Sequence, residues 1–260
     1  MDTTSVATKR SPATTATPRP AGEEAGTPAR RSTPAGALAA VGPRPRSEFA
    51  ARVLNVLVAA VALVIVSPVL AVCAVLVRAT SRGPIFYKQV RVGIDKRWMS
   101  AEQSGGDEQR LRDLGGRAFT IYKFRSMYVD AESQSGAVWA TKGDRRVTPV
   151  GRILRKSRMD ELPQLLNVIQ GEMNIVGPRP ERPSIFAKLS ENIEEYPIRQ
   201  RAKPGITGLA QINHSYDSTI DDVRKKVQYD LEYLQRQSLA EDVRIMAKTL
   251  PVMIFGKGAQ

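Results

Sequence analysis

Cysteine and histidine are almost absent from this chain of 260 residues, which contains one of each. A single cysteine excludes an intramolecular disulfide framework and any cysteine-based zinc or iron–sulfur site. A single histidine excludes a multi-histidine metal site and argues against a histidine-centred catalytic triad. Any bound metal must therefore use oxygen ligands, which favours Mg²⁺ or Mn²⁺.

Acidic residues are also scarce relative to basic ones, with 26 Asp and Glu against 39 Lys and Arg and a net charge of +13. This imbalance predicts an anionic partner, which is a nucleic acid, a lipid surface or a phosphorylated substrate. The sequence has neither a Walker-type nor a GxGxxG phosphate loop. A phosphorylated substrate would therefore need another kind of site.

Large apolar side chains are rare in residues 1–46, where Pro, Ala, Thr, Ser and Gly account for 32 of the 46 positions. Such a segment cannot bury enough surface to offset the entropy of ordering it. We expect a disordered tail, either a flexible extension without a specific role or a tether to an anionic membrane.

The next segment is an apolar run of 25 residues, 53–77, which is interrupted only by Asn55, Ser67 and Pro68. As a straight helix it would measure about 37 Å, enough to cross a hydrocarbon core of about 30 Å. One transmembrane helix is the simplest interpretation.

A re-entrant helix over residues 47–83 is the alternative. Pro68 removes a helix hydrogen bond and favours a kink, and Ser67 can bind the carbonyl that the proline frees. A spanning helix normally has a basic flank on one side only. Here both flanks are basic, with Arg44, Arg46 and Arg52 before the run and Arg78, Arg82, Lys88 and Arg91 after it.

Residues 84–260 are expected to form a cytoplasmic domain. Extended stretches are predicted at 85–93 and 118–124, and residues 95–117 between them form a polar, glycine-rich surface insertion. Residues 217–250 show helical periodicity.

Residues 157–171 contain the most informative pattern. It predicts a short helix, with Asp160 as its N-cap, Pro163 in the first turn and Gly171 just after its end. Asp160 and Glu161 are then either ordinary first-turn acids that complement the helix dipole or groups that take part in a reaction. In the second case, Asp160 is held anionic beside Arg155 and Arg158 and attacks phosphorus, while its neighbour binds a divalent ion.

Four groups of basic residues accompany these acids, and each group taken alone is also compatible with a solvated surface. Arg179 is fixed between Pro178 and Pro180, so its guanidinium loses little entropy on binding phosphate. Residues 142–158 hold seven cations against the single acid Asp144. The remaining two groups are Lys123 with Arg125 and Arg199 with Arg201 and Lys203.

These stretches together resemble the bacterial sugar transferase family, the small monotopic phosphoglycosyl transferases. The resemblance covers roughly residues 48–258 and keeps the family order and spacing. The matching stretches are Tyr122–Met127, Asp144–Thr148, Gly151–Lys156, Asp160–Leu165, Val176–Pro180 and Lys203–Gly208.

The resemblance implies a role for each site residue. Asp160 would be the nucleophile, Glu161 the ligand of Mg²⁺, and Ser67–Pro68 the helix break of a re-entrant helix. The substrate phosphates and the nucleotide would be held by Lys123, Arg125, Arg145, Arg146, Arg155, Arg179 and Pro180.

The fold implied is mainly α with short β elements, in which one kinked re-entrant helix and interfacial amphipathic helices join a catalytic domain. The implied reaction moves a sugar-1-phosphate from a UDP-sugar to polyprenyl (undecaprenyl) phosphate and releases UMP, through a covalent phosphosugar on the aspartate. It would occur at the cytoplasmic face of a bacterial membrane and start a lipid-linked glycan such as an exopolysaccharide.

A homodimer is compatible with such an enzyme, and nucleic acid is not an expected partner. Leu209 departs from the family pattern, because many members have Trp there. The alternative function is a non-enzymatic basic adaptor that binds anionic lipid or nucleic acid.

Overall fold

The computed structural model describes residues 41–96, 116–131, 144–214 and 219–254, with side chains up to residue 251. The expected tail through residue 40 and most of the expected insertion lie outside these ranges. Within them the chain is mostly helical with a few short strands, as the sequence predicts.

Seven α-helices, two 3-10 helices and four strands make up the described part of the chain. The helices are α1 (Glu48–Thr80), α2 (Pro149–Lys156), α3 (Leu165–Gln170), α4 (Pro183–Asn192), α5 (Leu209–Asn213), α6 (Ile220–Arg236) and α7 (Leu239–Ile254). The strands are β1 (Phe86–Val92), β2 (Ala118–Phe124), β3 (Asn174–Val176) and β4 (Gly205–Thr207). The first 3-10 helix is Met159–Gln164 and the second is Tyr196–Arg201.

The strands form two small sheets. β1 and β2 are antiparallel, with Tyr87 opposite Lys123, and they confirm the two predicted extended stretches. β3 and β4 are parallel and are connected through α4 and the second 3-10 helix. The periodic stretch near the C-terminus is two helices rather than one, because the chain leaves the helix at Gln237, where ψ is 130°.

Helix α1 is long and apolar enough to cross a membrane, and it is the one such helix among the described residues. Ser47 caps its start by accepting a hydrogen bond from the Ala50 N–H at 3.2 Å. Pro68 cannot bond to the Val64 carbonyl, and the Ser67 hydroxyl donates to that carbonyl at 2.9 Å instead. The helix is therefore continuous through Pro68, and its re-entrant path remains a prediction.

One face of α1 packs against the rest of the chain at both ends. Near its start, Ala59 joins the main core, and Asn55 accepts a hydrogen bond from the Ile175 N–H at 2.5 Å. Near its end, Cys73 and Val77 pack against Phe124 and Leu154 in a separate cluster. Both ends of α1 therefore contact a single folded unit. The main core consists of Ala59, Phe119, Ile121, Leu165, Val168, Met173, Ile175, Val176, Ala202, Tyr233, Leu234 and Ile245.

The segment before α1, the last part of the predicted tail, contacts the domain from residue 41, where the Val41 carbonyl accepts a hydrogen bond from Arg201. The Arg44 N–H donates to the Leu234 carbonyl at 2.8 Å, and the Arg44 carbonyl accepts from the Gln237 side chain at 3.0 Å. Arg46 pairs with the buried Asp242 at 2.8 Å. Composition did not indicate these contacts, because they depend on partners 160 to 196 residues away.

Replacing Asn55 with Ala should lower the free energy of unfolding by about 1–3 kcal/mol, because the buried Ile175 N–H loses its acceptor. Chemical unfolding in detergent measures the change. Asn192→Ala is the matched control, since the Asn192 side chain is exposed and bonds only within its own helix. Equal effects of the two substitutions would contradict the role given to Asn55.

Candidate active site

Asp160 and Glu161 lie in the first 3-10 helix, Met159–Gln164. The helix follows Arg158, whose φ of 56° is in the left-handed region that non-glycine residues seldom adopt. Asp160 is therefore not the N-cap of an α-helix as predicted, because the left-handed Arg158 is the N-cap of a tighter 3-10 turn and lies two residues earlier. Gly171 does end α3 in the left-handed conformation, at φ 86°, as predicted.

Asn167, on α3, fixes this helical segment against strand β2. Its side chain accepts a hydrogen bond from the Tyr122 N–H at 3.1 Å and donates to the Thr120 carbonyl at 2.7 Å. The residue is fully buried. Since β2 carries Lys123 and the adjoining 3-10 helix carries the acids, Asn167 sets the position of one relative to the other.

Glu161 is held by arginine. Arg179 Nη2 lies 2.5 Å from Glu161 Oε1 and Arg179 Nη1 lies 3.3 Å from Oε2, which is a forked pair. Arg158 adds a longer contact of 3.9 Å. Burial alone would raise the pKa of Glu161, but the charge and hydrogen bonds of Arg179 outweigh it and lower that pKa to about 2. Glu161 is therefore ionised at neutral pH.

The carboxyl group of Asp160 is in a different environment. The residue is only 7% exposed. Burial, together with the negative charge of Glu161, raises the pKa of Asp160 to about 6. The cations Lys123, Arg155 and Arg179 act in the opposite direction. The sequence led us to expect a carboxylate held anionic by its neighbours, whereas here burial outweighs them, and the group is still mostly ionised at neutral pH.

Lys123 belongs to the same cluster. Its side chain is half-buried, with the ammonium nitrogen 6.0 Å from the centre of the Tyr87 ring. Burial and the nearby charge of Arg91 lower the pKa of Lys123 to about 8, although both Asp160 and Glu161 favour its charged form. The structure therefore brings Lys123, Arg155 and Arg179 together with the two acids.

Two other predicted phosphate ligands have partners elsewhere. Arg125 is buried at the end of α1, where it donates to the carbonyl and the hydroxyl of Ser81 at 2.7 Å each. Arg146 forms a close pair with Asp144, at 2.6 Å, and Arg145 lies in the same turn. Arg125, which directly follows β2, is thus bound to Ser81 at the C-terminal end of α1.

Sequence reasoning missed Arg91 and Glu181 as parts of the site. Arg91 donates to the Pro180 carbonyl at 3.0 Å and lies 3.7 Å from Glu181. Lys226 pairs with the same carboxylate at 3.6 Å. Arg91 had counted only as a basic flank of the membrane helix, and its place at the end of β1 gave no sign of contact with residues about 90 positions later.

The acids fit the Mg²⁺ that the resemblance implies. Adjacent carboxylates are hard oxygen donors, and the ionised Glu161 suits a divalent cation. In the described ranges no group of three or more His, Cys, Asp or Glu side chains could hold a metal ion. Mg²⁺ usually takes one or two carboxylates and completes its shell with water and phosphate oxygens, and its binding by these acids stays a prediction.

The structure thus joins one long apolar helix to a cluster of acids and cations that can bind an anionic group. Residues 46–256 match the model of the bacterial sugar transferase family. The chain therefore belongs to that family.

Three similar proteins from bacteria have names that state an activity or a product. The UDP-N-acetylgalactosamine-undecaprenyl-phosphate N-acetylgalactosaminephosphotransferase of Aeromonas hydrophila is 39% identical over 84% of this chain and 47% of its own length. The UDP-glucose:undecaprenyl-phosphate glucose-1-phosphate transferase of Caulobacter vibrioides is 37% identical over 82% of this chain and 73% of its own. The exopolysaccharide production protein ExoY of Rhizobium meliloti is 33% identical over 83% and 90%.

The chain matches different shares of the length of its relatives. The chain spans less than half of the Aeromonas protein and 41% of a glucose-1-phosphate transferase from Klebsiella pneumoniae. The two relatives are named for different sugars, although their identities to this chain, 39% and 38%, are nearly equal. Overall identity thus does not separate the two sugars.

Arg179→Met should lower the free energy of unfolding by about 1–3 kcal/mol, because it leaves the Glu161 charge buried without its partner, and the partial exposure of Arg179 limits the loss. The double variant with Glu161→Gln should recover part of this loss. Denaturant unfolding at pH 7 of the wild type, both single variants and the double variant measures the coupling. A coupling of zero within error would contradict the pairing.

Proposed function

We propose that this chain transfers a sugar-1-phosphate from a UDP-sugar to polyprenyl phosphate. The observation that carries the proposal is the pair of adjacent acids, the buried Asp160 and the mostly buried Glu161, among Lys123, Arg155 and Arg179. Relatives that share most of this chain are named as transferases of sugar phosphates to undecaprenyl phosphate. The proposed product is the first lipid-linked intermediate of a glycan.

Asp160 is the proposed nucleophile. A carboxylate oxygen of Asp160 attacks the β-phosphorus of the UDP-sugar, and the bond from that phosphorus to the bridging oxygen breaks. The bridging oxygen leaves with UMP, and the phosphosugar stays on Asp160 as an ester. The raised pKa of Asp160, about 6, supports a carboxylate that is ionised at neutral pH yet poorly solvated, and therefore reactive.

Polyprenyl phosphate is the proposed second substrate. One of its phosphate oxygens attacks the phosphorus of the ester, the bond to the Asp160 oxygen breaks, and polyprenyl-diphospho-sugar leaves. Lys123, Arg155 and Arg179 supply the positive charge that offsets the phosphates of both substrates. Glu161 would hold Mg²⁺, which neutralises phosphate charge when bound.

The membrane placement we propose is monotopic, on the cytoplasmic face. Both ends of α1 contact one folded unit, and this supports placing both ends on one side of the bilayer. At Pro68 the Ser67 hydroxyl satisfies the carbonyl that the proline frees, as a helix within lipid needs, and the kink itself is part of the proposal. In this arrangement the lipid phosphate and the soluble UDP-sugar meet at the interface.

The alternative function, a non-enzymatic basic adaptor for lipid or nucleic acid, has no support in the comparisons. It accounts for the positive charge and the apolar helix. It gives no reason for two adjacent carboxylates to be buried together, an arrangement that raises the pKa of one of them.

Asp160→Asn should lower the rate of UMP release by about 10³-fold or more, because an amide cannot form the ester. The assay uses purified protein with Mg²⁺, undecaprenyl phosphate and a panel of UDP-sugars. Asp221→Asn is the control, since the Asp221 side chain is 78% exposed on α6. A variant that still turned over at the wild-type rate would refute the role of Asp160.

Cysteines placed near the two ends of α1 should be accessible from the same side of the membrane. In a Cys73→Ser background, Glu48→Cys and Arg82→Cys each give one exposed thiol. We expect a membrane-impermeant maleimide to label both in inverted vesicles and neither in intact spheroplasts. Labelling from opposite sides would instead establish a spanning helix.

A further inference from the structure

The loop that carries Arg179 is held through four consecutive backbone carbonyls. The Pro178 carbonyl accepts from the Gly205 N–H at 3.0 Å, and the Glu181 carbonyl accepts from the Val92 N–H at 2.9 Å. Between them, the carbonyls of Arg179 and Pro180 accept from the side chains of Arg199 and Arg91, each at 3.0 Å. The donors thus come from four separate positions along the chain.

This arrangement follows from the two prolines. Pro178 and Pro180 have no N–H, so the loop cannot hold its shape through a regular ladder of its own. A Cβ on Gly205 would lie 2.1 Å from the Gly177 nitrogen, so the backbones meet there at a distance that only glycine allows. The path of the loop is therefore determined by groups outside it.

Arg199 is the more deeply buried of the two side-chain donors, with no exposed surface. Its Nε and Nη2 atoms lie 2.8 and 2.7 Å from Asp230 Oδ2. Its Nη1 atom donates to the Tyr196 hydroxyl at 2.8 Å, and Nη2 also donates to the Arg179 carbonyl. The planar guanidinium thus connects α6, the second 3-10 helix and the Arg179 loop at fixed angles.

We propose that Arg199, held by Asp230, is a positioning residue that sets where the Arg179 guanidinium lies relative to Glu161 and to the phosphates of the nucleotide sugar. The inference rests on the proposed function for what Arg179 binds. Arg199 acts through the Arg179 backbone and touches neither acid.

Stability alone does not explain the arrangement. A buried ion pair is weak evidence for stability, because apolar residues of similar volume often stabilise a fold as well or better. The pair does supply a donor aimed at one carbonyl of a loop in which two prolines have no N–H. A displacement of about 1 Å at a binding group can cost about a hundredfold in rate, so such a fixed donor has a catalytic effect.

The test is the double variant Arg199→Met with Asp230→Leu, which removes both charges and fills the space. Its melting temperature should stay near that of the wild type, whereas KM for the UDP-sugar should rise, or kcat fall, by about tenfold to a hundredfold. Arg199→Lys keeps the charge toward Asp230 but cannot reach three partners, so it should show a smaller defect of the same kind.

Arg46→Lys is the matched control, because Arg46 is also a buried arginine paired with a buried aspartate, Asp242. It should lower stability without changing KM for the UDP-sugar. Amide hydrogen exchange of the peptide spanning residues 174–186 gives a readout that needs no activity. Exchange there should be faster in both Arg199 variants and unchanged in the Arg46 variant.

Unchanged exchange and unchanged kinetics in the Arg199 variants would overturn the proposal, as would an equal kinetic defect in Arg46→Lys. If the wild type transfers no sugar phosphate and amide exchange is still faster in the Arg199 variants, the positioning role is supported and the proposed function is refuted. The two claims therefore fail separately.

Discussion

The forked pair between Glu161 and Arg179 joins the two halves of the candidate site. Glu161 follows the buried Asp160 in a tight helical turn, while Arg179 comes from a loop between two prolines. Without the arginine, two adjacent carboxylates could not both be buried and ionised, since burial and mutual repulsion each raise their pKa values. The pair allows Glu161 to stay charged, and the charge of Glu161 then contributes to the raised pKa of Asp160.

The membrane helix is connected to this site through hydrogen bonds. Arg52, on α1, donates to the carbonyls of Val168 and Ile169 at 2.5 Å each, in the last turn of α3. The same short helix carries Asn167, which holds strand β2, and directly follows the turn that carries the acids. The position of α1 and the position of the acids are therefore set together.

Local pattern was enough to predict several elements. Apolar length indicated α1, extended apolar stretches indicated β1 and β2, and Gly171 indicated the end of α3. Asp160 was correctly expected near Arg155. It was wrongly predicted to be a helix N-cap, because nothing in the sequence indicates that Arg158 adopts the left-handed conformation and is the N-cap. Contacts between residues far apart in the sequence could not be predicted. Each depends on which strand or helix lies opposite, and local patterns in a single sequence do not show this. Thus the position of Arg125 beside Ser81 could not be predicted.

The central claim is that Asp160 forms a covalent bond to the phosphosugar, and mass spectrometry tests it most directly. Protein is incubated with Mg²⁺ and a UDP-sugar without lipid acceptor, quenched in acid and digested. We predict a mass gain of one sugar phosphate on the peptide that contains Asp160, lost when polyprenyl phosphate is added. If UMP and lipid-linked product formed together while no peptide carried the adduct at any quench time, the phosphosugar would pass directly between the substrates and the covalent mechanism would be wrong.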